Sequence, residues 1–374
     1  MNIAILTVPH ISSSLAFTPI MVNKNLLSEN NIDFKVYYQE TKAIYDSDLV
    51  ILDGRFYRKL QSYDPDTEIL ELLERLSSNI PKIIWFDTTD GTGTTQFQFL
   101  PYVNKYLKIQ VLKDRTLYQK KYYGGRIYTE YYHSEFGVND KKELASPRPA
   151  TQDQIHKIDC AWGHGLADFG RWGPMMRRIR KFVPLPYSYS QNFTGDSNRS
   201  VKASFRFSTN YKRETIAFQR SLVKQTANKL GYPTDKIPRN KYLYELRNCK
   251  LGISPFGWGE PSYKDFEIIL NGAALIKPNL SHLETWPDLY INNETYLSFD
   301  WDCSNLEEVI DHALMNNLWQ EITNSAKNKY EYYLFNEAGK QEFVKRFIEK
   351  FMDNNTDTNH QTQPNNTKIG TPRT

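Results

Sequence analysis

With 374 residues the chain is longer than one ordinary domain and has room for two units of about 150 to 180 residues, each with its own core. Its 47 basic and 43 acidic side chains leave a net charge of +4, too even a balance to mark the whole chain as a binder of polyanions. Three scattered cysteines, Cys160, Cys249 and Cys303, exclude a disulfide scaffold and a structural zinc site, and they imply a reducing, cytoplasmic setting. The apolar run after Met1 breaks at Pro9 and His10, and no apolar segment approaches the roughly 20 residues that span a bilayer.

From Asn2 short apolar runs alternate with amphipathic ones: IAILTV, PIMVNKNLLSEN, FKVYY, DLVILDG, TEILELLERLSS and KIIWFD. Runs of this length ending in Asp, Gly or Pro and separated by helical periodicity predict parallel strands joined by crossover helices. The middle of the chain is irregular and rich in aromatics, with YLKIQVLKD as a strand and a Pro/Ser/Asn-rich linker in PLPYSYSQNFTGDSNRS. The alternation then restarts with VKASFRFS, the helix KRETIAFQRSLVKQTANKL, the strand CKLGISP, the helix PSYKDFEIILNG and the strand AALIKP. The reading is α/β, with two Rossmann-like doubly wound domains facing across a cleft. The first covers 1–190, the second 191–335, a C-terminal helix 336–352 packs back on the first, and 353–374 is a disordered tail. Basic residues gather in RWGPMMRRIRKF, making 171–181 a candidate contact for an anionic acceptor or a peripheral membrane surface, and a tyrosine-interleaved basic cluster runs from Lys113 to Arg126.

The most informative stretch is GISPFGWGEPSYKDFEIILNGAALIKP. On a helix Phe266, Ile269, Leu270 and Ala273 share the buried face, while Glu260, Tyr263, Lys264, Glu267 and Asn271 form a second stripe, because seven residues at 100° return to within about 20° of the start. Pro261 suits the first helical position and Gly272 the positive-φ residue that ends the helix. Ligands of open α/β sheets bind beyond the carboxyl ends of the strands, where a helix N-terminus favours phosphate, and Gly257 and Gly259 leave room for close approach. Two carboxylates there, Glu260 and Glu267, would grip hydroxyl groups at opposite ends of one nucleotide sugar. The plain alternative is that Glu260 only complements the helix dipole and Glu267 is a solvated helix residue.

The segment RNCKLGISPFGWGEPSYKDFEIILNGAALIKPNLSHLETWPDLY resembles the donor-binding region of GT-B glycosyltransferases of the family 1/4 type, on its SPxGWGE and FExxxxG elements. WFDTTDGTG, YLKIQVLKDR and VKASFRFS carry the likeness into both halves. The resemblance implies a nucleotide sugar held by the second domain, an acceptor held by the first, and no essential metal or separate cofactor. It places Glu267 on the donor ribose and Glu260 near the transferred sugar. The retaining pattern of the group encloses seven residues between two glutamates, and here Glu260 and Glu267 enclose six.

A leaving diphosphate needs cations; the candidates are Arg206, Lys212, Arg213, Lys264 and Lys277, with Tyr263 beside them. For a general base the ends of the first domain's strands offer His10, Asp53, Asp87 and Asp90. DTTDGTG lacks the Lys-Ser/Thr ending of a P-loop, and Gly163, His164 and Gly165 sit in a further loop expected to line the cleft. The function expected is transfer of a sugar to an acceptor hydroxyl, on a surface glycan or a lipid-linked oligosaccharide. The alternatives are a transferase acting on hydroxymethylated DNA bases, for which the basic clusters would suit a phosphate backbone, and a nucleotide-sugar-binding module without turnover.

Overall fold

A computed structural model describes residues 1–57, 67–141, 147–169, 188–189 and 198–352. The basic segment 171–181, most of the expected linker and the expected tail from 353 lie outside the described residues.

The first unit contains β1 (Asn2–Leu6), α1 (Ile11–Val22), α2 (Lys24–Glu29), β2 (Asp33–Tyr37), β3 (Leu49–Asp53), α3 (Thr67–Asn79), β4 (Ile83–Asp87), β5 (Lys105–Lys108), β6 (Val111–Leu112), α4 (Ile127–Phe136) and β7 (Ile158–Cys160). Its sheet has the order β2-β1-β3-β4-β5-β7, and every pairing in it is parallel. Alternation along the strands feeds two cores. Ile3, Ile5, Ile51 and Phe86 enter one, while Ala4, Leu6, Leu52 and Trp85 enter the other. That explains why LVILD and IIWFD are apolar up to their terminal aspartates, since a sheet covered on both faces has no solvent side to make polar.

The second unit contains β8 (Val201–Ser204), α5 (Glu214–Lys229), α6 (Arg239–Asn248), β9 (Cys249–Ile253), α7 (Tyr263–Leu270), β10 (Ala274–Pro278), β11 (Leu283–Glu284), β12 (Leu297–Phe299), α8 (Leu306–Leu314), α9 (Leu318–Phe335) and α10 (Glu337–Phe351). Its parallel sheet has the order β12-β10-β9-β8. This is the two-unit arrangement that the GT-B resemblance implies. β6 of the first unit pairs antiparallel with β11 of the second. α10 lies against the first unit, where Arg346 donates to Cys160 O at 2.5 Å and Lys350 meets Asp159 at 2.5 Å. Phe343 and Phe351 flank Trp162 with ring centroids 5.0 and 5.4 Å away.

Several expected boundaries move. YLKIQVLKD is not one strand, because Ile109 and Gln110 separate β5 from β6. α6 has no counterpart among the expected elements, its RNKYLYELRN having only one buried side chain and hence no apolar stripe. α7 starts at Tyr263, so Pro261 precedes the helix and Glu260 is not on it. Ser262, extended at φ −137° and ψ 158°, is the N-cap and forms a capping box with Asp265. Gly272, at φ 72°, takes the left-handed conformation expected after the helix.

Candidate active site at the seam between the two units

On the first unit, the loops after β1, β3, β4 and β7 gather His10, Arg55, Asp90 and His164. His10 caps α1, its Nδ1 accepting from the Ser12 N–H at 3.1 Å. Arg55 donates through Nε to Thr88 O at 3.3 Å, and its outer nitrogen lies 3.9 Å from Asp90 Oδ1. The Asp90 side chain is 48% exposed and so remains open to an incoming group. His164 packs edge-on to Tyr263, ring centroids 5.6 Å apart. Burial pushes the His164 ring down to about 4; the Asp90 carboxylate opposes that shift and Arg55 adds to it. His10 is lowered by burial and then by Arg55, against the pull of Asp53 and Asp90. Both imidazoles are thus neutral near pH 7, beside one accessible carboxylate.

On the second unit, a half-buried cation, Lys264, and a buried one, Arg220, lie beyond β8 and β9. Lys264, in the first turn of α7, donates to Ile253 O at 2.6 Å and Arg206 O at 2.9 Å. Arg220 reaches from α5 to Phe256 O at 2.7 Å and Ser208 O at 2.9 Å, its guanidinium 4.6 Å from the Tyr211 ring centroid. Burial, with Arg220 adding to it, brings the Lys264 ammonium down to about 7. Tyr263 meets the first unit, its hydroxyl 3.3 Å from Ser12 Oγ. A small pocket between the units is lined by His164 and Gln110 on one side and Ser262, Phe266, Trp286 and Tyr290 on the other.

Four sequence expectations fail here. Lys277 is fully buried and held by Asp265 and Ser254 O, both at 3.2 Å, so it braces the base of α7 and does not face a ligand. Arg206 is turned to Glu245, which it grips with bonds of 2.7 to 3.1 Å. Asp87 is fully buried, accepting from Tyr106 Oη at 2.5 Å, Lys108 Nζ at 2.8 Å and Thr89 N at 2.8 Å, which leaves it no acceptor hydroxyl to deprotonate. Glu260 is fully buried as well, and both of its oxygens are taken by Thr92 of the first unit, at 3.0 Å by the N–H and 2.5 Å by the hydroxyl. The two glutamates are therefore not stacked.

The remaining residues divide. Glu267 is bound by Arg239 and is 14% exposed; Arg213 donates to Gly124 O across the seam; Lys212 is exposed. A Cβ on Gly259 would stand 2.6 Å from Gly91 N, so the space left by that glycine is filled by the first unit. A Cβ on Gly257 would stand 3.3 Å from Tyr211 Oη and 3.7 Å from Arg220. Asp53 is buried and takes hydrogen bonds from Thr7, Thr88 and the Arg55 N–H. Sequence reasoning missed Arg55 and Arg220. The second had a signal, a charged residue on the buried Ile216–Val223–Ala227 stripe of α5.

Lys108 is the counterpart of Asp87, and besides the carboxylate it holds Thr89 O at 3.1 Å and Thr94 O at 2.9 Å. Lys108→Met strands a buried carboxylate and is expected to cost about 3–5 kcal/mol in urea unfolding, whereas an exposed pair such as Lys345–Glu349 should contribute less than about 1 kcal/mol. Equal losses at the two sites would refute the difference.

No family model and no curated protein sequence matches the chain. Among solved structures it is similar to Anabaena HepE in complex with UDP, with a TM-score of 0.43 and 9% identity over 93% of this chain and 100% of that one. It is also similar to a glycosyltransferase from Rickettsia africae ESF-5, at 0.42 and 11% over 93% and 98%. An alpha-glucosyltransferase in complex with UDP-glucose and DNA containing an abasic site gives 0.37 and 9% over 92% and 99%. At such values what this chain does must be argued from its own residues. Among the described residues no group of three or more His, Cys, Asp or Glu is placed to hold a metal ion, and no helix is long and apolar enough to cross a membrane.

Proposed function

We propose that the chain is a glycosyltransferase that moves a sugar from a nucleoside-diphosphate sugar to an acceptor hydroxyl. The observation that carries this reading is the pair of half-buried Lys264 and buried Arg220, whose hydrogen bonds among the described residues go to backbone carbonyls and to no carboxylate. Buried charge is costly unless it is paired. Asp265 offsets part of that cost for both cations; an anion beyond the ends of β8 and β9 would offset more, and a diphosphate matches two cations beside a helix N-terminus. From the first unit, Ser12 and His164 meet Tyr263, the residue before Lys264.

In the transfer, the bond from the anomeric carbon to the diphosphate oxygen breaks with its electron pair leaving on the diphosphate, where Lys264 and Arg220 oppose the growing charge. The acceptor oxygen forms the new bond to the anomeric carbon and its proton passes to the Asp90 carboxylate. Protein cations perform the neutralisation, so turnover is expected to survive EDTA. Glu267 takes the pentose hydroxyls in place of Arg239. The acceptor we propose is a surface glycan or lipid-linked oligosaccharide; duplex DNA binding that falls steeply with salt would transfer the proposal to a DNA acceptor.

Thermal-shift titration with UDP-, GDP-, ADP- and CMP-sugars tests the reading. A diphosphate donor at 100 times its Kd should stabilise the protein by about 2.7 kcal/mol, while the CMP-sugar, a monophosphate, should do little. No stabilisation by any of the four would overturn it. Glu267→Gln is expected to weaken the donor roughly fivefold, about 1 kcal/mol, by calorimetry.

A further inference from the structure

The loop Thr88–Thr95 carries Asp90, and it is anchored at both ends. At its base Lys108 ties Thr89 and Thr94 together, and at its tip Thr92 is held by Glu260 of the second unit. Beside that bond Gly91, at φ 73°, packs closely on Gly259, where a Cβ would stand 2.6 Å from Gly91 N. Glu260 has His282 Nε2 at 3.9 Å. Burial alone would raise this carboxyl, yet the imidazole and the two Thr92 donors hold it down at about 2. A charged carboxylate is thus spent on a threonine 168 positions earlier in the chain, one residue from the loop where a donor sugar was expected.

We propose that Glu260 is a positioning residue that clasps the two units together through Thr92 and thereby sets Asp90 opposite the N-terminus of α7. Asp90 lies two residues from Thr92, with a left-handed glycine between, so a slack tip moves the carboxylate directly. Nearby, Arg126 donates to Trp258 O at 2.8 Å and to Thr94 Oγ1 at 2.5 Å, which ties the glutamate's own loop to the same segment. The clasp acts on geometry and not on the donor, since Lys264, Arg220 and Glu267 lie elsewhere on the second unit. Its role in transfer rests on the function proposed above, whereas its role in joining the units does not.

The test pairs a distance with a rate. Tyr38 and Tyr244 are 64% and 71% exposed on the first and second units, and the three native cysteines are buried, so Tyr38→Cys and Tyr244→Cys accept spin labels selectively. The distance distribution should be narrow in the otherwise native chain, broaden in Thr92→Val and in Glu260→Gln, and return in Thr92→Ser, which restores the hydroxyl. The double variant should be no broader than either single one. In the same variants nucleotide-sugar turnover should fall more than tenfold in kcat with donor KM within twofold, and recover in Thr92→Ser. Unchanged distances in Thr92→Val and Glu260→Gln, or a loss expressed in KM alone, would overturn the proposal. A protein that binds no nucleotide sugar would sink the functional reading, and the distances would still decide the clasp.

Discussion

Replacing Lys264 with methionine is expected to weaken binding of the nucleotide sugar by one to two orders of magnitude while leaving the protein as stable as before, or more so. A charge-assisted hydrogen bond to a diphosphate is worth about 2–3 kcal/mol, hence a roughly 30- to 150-fold loss of affinity. In the free protein the ammonium is partly buried beside Arg220, and burial, with Arg220 adding to it, lowers it to about 7. A lysine that the folded state holds below its ordinary value of about 10.4 is a cost to folding at neutral pH, because the unfolded chain keeps the proton and the folded chain tends to release it. Methionine removes that cost and fills similar space, at the expense of two carbonyl bonds. Opposite signs for binding and stability distinguish a ligand-binding lysine from a structural one, and Lys108→Met is the structural control. Calorimetric titration with urea unfolding of the same variant checks both; a twofold change in affinity would remove Lys264 from the site.

The same group fixes a pH dependence. The diphosphate raises the lysine toward its ordinary value, so the complex holds a proton that the free protein loses as pH rises through about 7. Donor affinity should be tightest below pH 7 and fall by up to about tenfold per unit above it. A nucleotide sugar has no phosphate group titrating in that range, so the slope belongs to the protein. Folding stability from this group runs the other way, rising between pH 7 and about 10.4. An affinity that is flat from pH 6 to 9 would show that the ammonium does not meet the phosphates.

How much of this was legible in the sequence differs by element. β3, β4 and β10 are nearly all apolar, with a charge only at or next to the carboxyl end, because both faces of each are covered, and that pattern alone places two parallel sheets. The stripe of Glu260 and Glu267 depended on a helix beginning at Glu260. Ser262 and Asp265 form a capping box that starts it at Tyr263, a signal present in PSYKD and outweighed by the proline. Alternation in SFRFS showed that Arg206 differs from its neighbours in facing, but not that Glu245 waits there. Lys277 and Asp87 sit at strand ends as expected; what period-2 patterning could not reveal is that Asp265 and Lys108 already pair with them. Thr92 was beyond reach, since a partner 168 residues away leaves no local trace.

Asp90→Asn is expected to lower turnover by 10²- to 10⁴-fold, the usual contribution of a positioned proton acceptor, with the nucleotide sugar binding as before. Asparagine keeps the size and the approach to Arg55 but cannot take a proton. The two histidines beside it do not substitute. His164 is pushed down to about 4 and His10 is lowered too, so both are weak bases held near a guanidinium. In the proposed reaction their part is to stay neutral, accept hydrogen bonds and keep the acceptor hydroxyl oriented, so His164→Gln should lose less than Asp90→Asn. Thermal shift with the donor supplies the control for folding and binding, since the Asp90 side chain is half-exposed and its contact with Arg55 is a long one at 3.9 Å. If Asp90→Asn retained full turnover while His164→Gln lost it, the proton would leave through the imidazole and the carboxylate would be its orienting partner.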